Sequence, residues 1–171
     1  MKYILKLALV LLLITVVVAG LLGFVNYLTA DKIAENTAKK ANEAMEAVLP
    51  SGSYEKLEVT AEGITEVYKA EGGYVVRLNA GGFGGAIDMM VGVDMNGTVT
   101  GVSVISHSET ASLGAECTRE DWRAQFAGTT GALKVTKDGG TIDALTGATV
   151  TSRAVTEAVN RAVEFVKEVQ P

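Results

Sequence analysis

The chain has 171 residues, 48% of them apolar, and a formal net charge of −5. That charge, with no basic run longer than Lys39-Lys40, argues against a nucleic-acid partner, because phosphate backbones are bound by clustered cations. The single cysteine, Cys117, excludes an intramolecular disulfide and, within this chain, Cys-based iron–sulfur and zinc sites; it reads as a small, partly buried side chain.

Residues 7–25 run without a charge or a proline, close to the ~20 residues a helix needs to cross a bilayer core. A cleaved signal peptide has a shorter apolar stretch, about 7–15 residues, and a small-x-small cleavage site, and the best match here, Leu28-Thr29-Ala30, is poor. Residues 1–28 therefore read as a retained transmembrane signal anchor. Lys2 and Lys6 precede the span, while Lys32 beyond it is offset by Asp31 and Glu35. The positive-inside rule puts the N-terminus in the cytoplasm and the rest outside the cell inner or plasma membrane. Residues 29–50 read as a stalk helix: Ile33, Thr37, Ala41, Met45 and Val48 recur at helical spacing and Pro50-Ser51-Gly52 ends it. A solvated stalk and a helix docked on a partner both fit.

From Tyr54 the pattern alternates. Residues 54–60, 64–70, 74–80, 86–94 and 98–106 are predicted strands. Glu71-Gly72-Gly73 makes one turn, and Asn96-Gly97 predicts a two-residue hairpin with positive φ at both central positions. These short connections imply an antiparallel sheet. Thr118 is placed to cap a short helix through Phe126, with Glu120 and Asp121 in its first turn, and residues 133–136 read as a short strand. From Thr151 onward Ala154, Val155, Ala158, Val159, Ala162, Val163 and Val166 form one apolar stripe of an amphipathic C-terminal helix. The fold class is α+β, with one domain over 51–171.

Three segments are unlike ordinary connections. Asp143-Ala144-Leu145-Thr146-Gly147-Ala148-Thr149-Val150-Thr151-Ser152 leads into the last helix, whose first N–H groups have no partner in the helix and favour an anion. A threonine hydroxyl here can cap the helix or carry a phosphate as an ester; both readings stand on the residues alone. Gly81-Gly82-Phe83-Gly84-Gly85 lets backbone approach a ligand closely or makes a flexible hairpin loop, and it lacks the Gly-Lys-Ser/Thr ending of a triphosphate-binding loop. His107-Ser108-Glu109-Thr110-Ala111-Ser112-Leu113-Gly114 follows a strand and holds the only histidine, which fits a ligand loop or a surface turn. One His and one Glu are too few for a metal site, and no catalytic residue is specified.

Together these residues resemble the FMN-binding domain of a membrane redox family that includes the G subunit of Rnf ferredoxin:NAD oxidoreductase complexes and the C subunit of the sodium-pumping NADH:quinone reductase. The family's attachment motif, Asp-x-x-Ser/Thr-Gly-Ala-Thr, is complete at Asp143, Thr146, Gly147, Ala148 and Thr149, and Val150-Thr151-Ser152 follows as in many members. Gly82-Phe83-Gly84-Gly85 matches its Gly-aromatic-Gly-Gly pattern. His107, Glu109, Thr110, Leu113 and Gly114 match its His-x-Glu-Thr-Pro-Gly-Leu-Gly pattern, while Ala111 and Ser112 stand where the family has Pro and Gly. The short chain suits the Rnf subunit better than its longer relative.

The resemblance implies FMN covalently joined to Thr149 through a phosphoester made by a flavin transferase, with Asp143 serving that enzyme's recognition or positioning of the motif and contact of Asp143 with the finished flavin left open. It implies that the phosphate lies at the N–H groups of 150–152 and the flavin ring between the glycine loop and the 107–114 loop, with Leu145 and Leu113 as apolar contacts. The chain is then an electron-transfer subunit, without an independent active site, of an Rnf-type complex with other membrane and peripheral subunits. A stand-alone anchored flavoprotein and a cofactor-free anchored binding module are the alternatives.

Overall fold

A computed structural model describes residues 2–59 and 61–170; the expected element ends at Met1, Thr60 and Pro171 lie outside them. The chain divides into two compact units, one ending at Lys39 and one beginning at Lys40. A single helix, α1 (Lys2–Val48), covers the segments expected as separate anchor and stalk, with no proline inside it. From Ile4 to Leu28 its large apolar side chains are exposed, and this stretch is long and apolar enough to cross a membrane. The Thr15 hydroxyl donates to the Leu11 carbonyl and that of Thr29 to the Val25 carbonyl, so neither polar group needs water.

The second unit is a five-stranded antiparallel meander in sequence order: β1 (Glu55–Leu57), β2 (Ile64–Ala70), β3 (Gly73–Gly81), β4 (Ala86–Asp94) and β5 (Val99–His107). β1 is shorter than the expected 54–60, and Tyr54 lies just before it with its hydroxyl donating to the Leu49 carbonyl at 2.7 Å. The β4–β5 turn also departs from expectation. Only Gly97 takes positive φ (76°), and the Asp94 carboxylate accepts the Asn96 and Thr98 N–H groups, both at 2.8 Å. An acid that bonds its own downstream backbone stabilises a longer loop than the two-residue turn.

Alternation along the strands gives the sheet two apolar faces. On one, Val76, Leu78, Ile87, Met89 and Val91 pack against α3 (Thr149–Val169) through Val155, Ala158, Val159, Ala162 and Val163, the stripe read from the sequence. On the other, Val75, Met90 and Ile105 receive Ala41, Ala44, Met45 and Val48 of α1, so the end of the expected stalk is core. Gly92 and Gly101 make that docking possible: a Cβ at Gly92 would overlap the Val48 carbonyl, and one at Gly101 would stand 3.1 Å from the Val48 Cα. Thr100 donates its hydroxyl to the same carbonyl, which lies in the last turn and has no helical partner.

Two local expectations are corrected. Thr118 caps nothing; its hydroxyl donates back to the Ala115 carbonyl, and the segment breaks into a 3-10 turn (Gly114–Thr118), α2 (Glu120–Arg123, preceded by Arg119) and a second 3-10 turn (Ala124–Phe126). Residues 133–136 do not form a strand. Asn160 takes both the N–H and the carbonyl of Leu133, leaving Val135 with only an isolated parallel bridge to Ile142. Gly92→Ala is expected to destabilise the second unit by about 1–3 kcal/mol through overlap at the α1 docking point, read as a lower midpoint in thermal unfolding of the detergent-solubilised chain.

Candidate functional site

The glycine loop closes the β3–β4 hairpin, with the Gly82 N–H donating to the Gly85 carbonyl at 2.9 Å. Ile87 beside it pairs with His107 at the end of β5, so the glycine loop and the 107–114 loop leave the same end of the sheet. The N-terminus of α3 comes to that end as well. The three segments meet on one side chain, Glu109, which is 8% exposed. Its Oε1 accepts the Gly84 N–H at 2.8 Å and its Oε2 accepts the Thr151 hydroxyl at 2.6 Å. A Cβ at Gly82 or Gly114 would overlap this carboxylate, and one at Gly84 would overlap the Ser108 carbonyl. These glycines are needed for close approach to protein as much as to a ligand.

Beside this junction lies a cleft of about 280 Å³ lined by Phe83, Glu109, Thr110, Leu113, Gly114 and residues 147–151. Its volume is near the lower end of the ~300–1,000 Å³ of small-molecule sites. Phe83 (76% exposed), Leu113 (43%) and Val150 (49%) leave large apolar surfaces uncovered around it, as expected where an apolar partner belongs. Gly147 has φ of 75°, and a Cβ there would stand 3.0 Å from Leu113 Cδ2. That left-handed residue turns the chain into α3, so that Ala148 is the residue before the helix and Thr149 its first residue.

Thr149 is therefore not the cap, and no side chain caps the helix. The Thr149 hydroxyl instead accepts a hydrogen bond from Lys137 Nζ at 2.8 Å. The first turn of α3 contains no acid, although acids favour that position.

Not every sequence-selected residue reaches the cleft. Ser152 is fully buried; its N–H donates to the Ala148 carbonyl, its hydroxyl donates to the same carbonyl, and its Oγ accepts the Leu145 N–H. Of the N–H groups expected at a phosphate, only those of Val150 and Thr151 remain. Leu145 is 7% exposed in the core rather than in the cleft. Thr146 is exposed on the turn, and Asp143 has an exposed side chain while its backbone is held by Trp122 Nε1 donating to its carbonyl and Gln125 Oε1 accepting its N–H, both at 2.7 Å. His107 Nδ1 accepts the Glu109 N–H at 3.2 Å, shaping the turn. It lines a separate, more open hollow of about 620 Å³ with Lys40, Glu43 and Ser106. Ser112 adopts φ of 60°, the conformation that glycine takes most easily. Cys117 is fully buried; burial pushes its thiol up to about 11, and the Glu109 charge adds to this.

No sequence signal singles out Lys137, Trp122 or Gln125. Lys137 precedes Asp138-Gly139-Gly140, a turn signal that marks the bend but not the destination of the side chain.

The G subunit of the proton-translocating ferredoxin:NAD(+) oxidoreductase complex of Clostridium ljungdahlii (strain ATCC 55383 / DSM 13528 / PETC) is 36% identical over 166 residues, covering 91% of this chain and 88% of that protein. The G subunit of an ion-translocating oxidoreductase complex of Vibrio vulnificus (strain YJ016) is 33% identical over 172 residues, covering 86% and 82%. The chain belongs to this family of G subunits. Its residues 1–48 match the RnfG N-terminal region and its residues 82–164 match the FMN-binding domain. Among solved structures, the C subunit of the Na(+)-translocating NADH-quinone reductase of Parabacteroides distasonis ATCC 8503 is 26% identical, covering 61% of this chain and 60% of that chain at a TM-score of 0.49. As a G subunit, the chain is anchored in a membrane through α1 and carries an FMN-binding domain.

The apolar rim of Phe83, Leu113 and Val150 suits a flat ring, and the Lys137 ammonium and the start of α3 suit a phosphate, with the one carboxylate of the lining, Glu109, already taken by Gly84 and Thr151. Glu109→Ala is expected to destabilise the second unit by about 2–5 kcal/mol, because it strands the buried Thr151 hydroxyl and the Gly84 N–H. Glu109→Gln, which keeps one acceptor, is expected to cost less; chemical denaturation of the three proteins checks both.

Proposed function

We propose that this chain is the electron-transfer subunit of a membrane-bound ion-translocating ferredoxin:NAD oxidoreductase complex, with FMN joined to Thr149 as a phosphoester and its domain outside the cytoplasm. The observation that carries the reading is the Thr149 hydroxyl: it stands at the wall of the cleft, at the first position of α3, and does not cap its own helix. Bound FMN supplies a ring that accepts and releases electrons, and the protein supplies placement.

Each residue then has a limited task. Thr149 tethers the cofactor, which prevents its loss to an extracytoplasmic space. Gly147 and Ala148 keep bulk away from the ester. Phe83, Leu113 and Val150 offer apolar surface to the ring and exclude water from one side of it. Glu109 holds the walls of the cleft in place through Gly84 and Thr151. The outward carboxylate of Asp143, on a backbone pinned by Trp122 and Gln125, suits contact with a flavin transferase better than contact with the finished flavin. Residues 7–25 carry no charge, so the ion path belongs to other subunits of the complex.

Co-expression with a flavin transferase is expected to give a flavin-fluorescent band on a denaturing gel, and Thr149→Val or omission of the transferase a dark one. A dark wild-type band beside a labelled positive control would return Thr149 to a purely structural role. For orientation, Glu71→Cys in the exposed β2–β3 turn is expected to react with a membrane-impermeant maleimide in intact cells, and Lys2→Cys only after lysis. The reverse pattern would place the domain in the cytoplasm.

A further inference from the structure

Lys137 sits in a 3-10 turn, Thr136–Asp138, that is rigidly built. The Val135 carbonyl accepts the N–H groups of Asp138 and Gly140 at 2.8 and 3.1 Å. Gly139 supplies a left-handed φ of 80°, and a Cβ at Gly140 would overlap the Lys134 carbonyl. The bridge between Val135 and Ile142 ties the turn to the strand-like segment before Asp143. These constraints place Lys137 across from the start of α3.

The charge around it is unbalanced. Asp138, the nearest acid in sequence, gives both carboxylate oxygens to Arg153, each at 2.6 Å. The first turn of α3 contributes no acid of its own, and the Glu109 carboxylate that meets it is taken by Thr151 and Gly84. Among the described residues, the hydrogen bond of Lys137 goes to the neutral Thr149 oxygen. An ammonium gains more from an anion than from a hydroxyl, and this exposed side chain, already at the Thr149 oxygen, would meet one if Thr149 carried a negative group.

We infer that the Lys137 ammonium is the counter-ion of a phosphate borne on Thr149, and so a phosphate-binding residue of the flavin site. The inference rests on the proposed attachment of FMN at Thr149. The hydroxyl it now touches is the atom that would bridge to phosphorus, which brings the non-bridging oxygens within reach of the same side chain. A phosphodiester keeps one negative charge at all physiological pH values, so the attraction does not titrate away in that range and is screened by salt.

The test is a stability cycle on the full chain in detergent, with and without co-expressed flavin transferase, for wild type, Lys137→Met and Lys137→Arg. Lys137→Met keeps the aliphatic stem and removes the charge; Lys137→Arg keeps the charge. Loading is expected to raise the unfolding midpoint of wild type and of Lys137→Arg by about 4 °C more than that of Lys137→Met, with the difference shrinking at high salt. The unloaded proteins are expected to melt together. Phosphorus NMR of the loaded proteins is expected to show the flavin phosphate displaced in Lys137→Met when folded, and coincident with wild type after denaturation. If Lys137→Met lowers loaded and unloaded midpoints equally, or leaves the phosphorus resonance unmoved, Lys137 only supports the turn and the inference is overturned. If Thr149→Val carries as much covalent flavin as wild type, the attachment itself is wrong and the counter-ion falls with it, an outcome read on the gel and separate from the other two.

Discussion

The hydrogen bonds of Glu109 hold the cleft together. A carboxylate at 8% exposure is costly to bury unless its oxygens are satisfied. Here one oxygen takes a main-chain N–H from the glycine loop and the other takes a hydroxyl from the first turn of α3. Three segments distant in sequence thus share one acceptor, and two glycines lack side chains because the carboxylate occupies their space. The relative position of the hairpin loop, the turn and the helix start follows from that geometry, and the cleft is the space left beside it.

The chemistry of Thr149 depends on this frame. A threonine one position earlier would reach back over the helix and cap it. At the first helical position the hydroxyl is directed out of the ladder, and the left-handed Gly147 together with the buried contacts of Thr151 and Ser152 holds it there. Under the proposed attachment, the same rigidity that makes a poor cap would make a good tether, because the attached group would enter a preorganised cleft with an apolar rim and the Lys137 ammonium beside Thr149. Lys137 reaches Thr149 from a separate turn, so the polar contact of this hydroxyl and the apolar rim beside it come from different parts of the chain.

The two parts of α1 meet different surroundings. From Ile4 to Leu28 the helix α1 presents apolar side chains all round, which suits lipid. Its last turns present only one apolar face, to Val75, Met90 and Ile105. The sheet is consequently covered on both faces, by α3 on one and by the end of α1 on the other, and the cleft opens at the end where β5 and the β3–β4 loop emerge. The C-terminal turns of α1 therefore belong to the core of the second unit rather than to a solvated stalk.

Patterning in the sequence determined the elements whose side chains repeat. The uncharged span at 7–25, the 3.6-residue stripe of α3 and the alternation in β2, β3, β4 and β5 each report burial that is local to one element, so periodicity suffices to read them. The glycine loop, the 107–114 turn and the 143–152 segment stand out because they break those periods. Their meeting was implied only by the family resemblance and not by any period, because it depends on contacts between residues far apart in the chain. Only tertiary packing decided that Glu109 points inward to Thr151, that Ser152 and Leu145 are structural, that Asn160 removes Leu133 from strand pairing, and that Lys137 faces Thr149. A hydroxyl or a carboxylate in a sequence has many partners open to it, and the one it takes is chosen by which elements the apolar faces bring together.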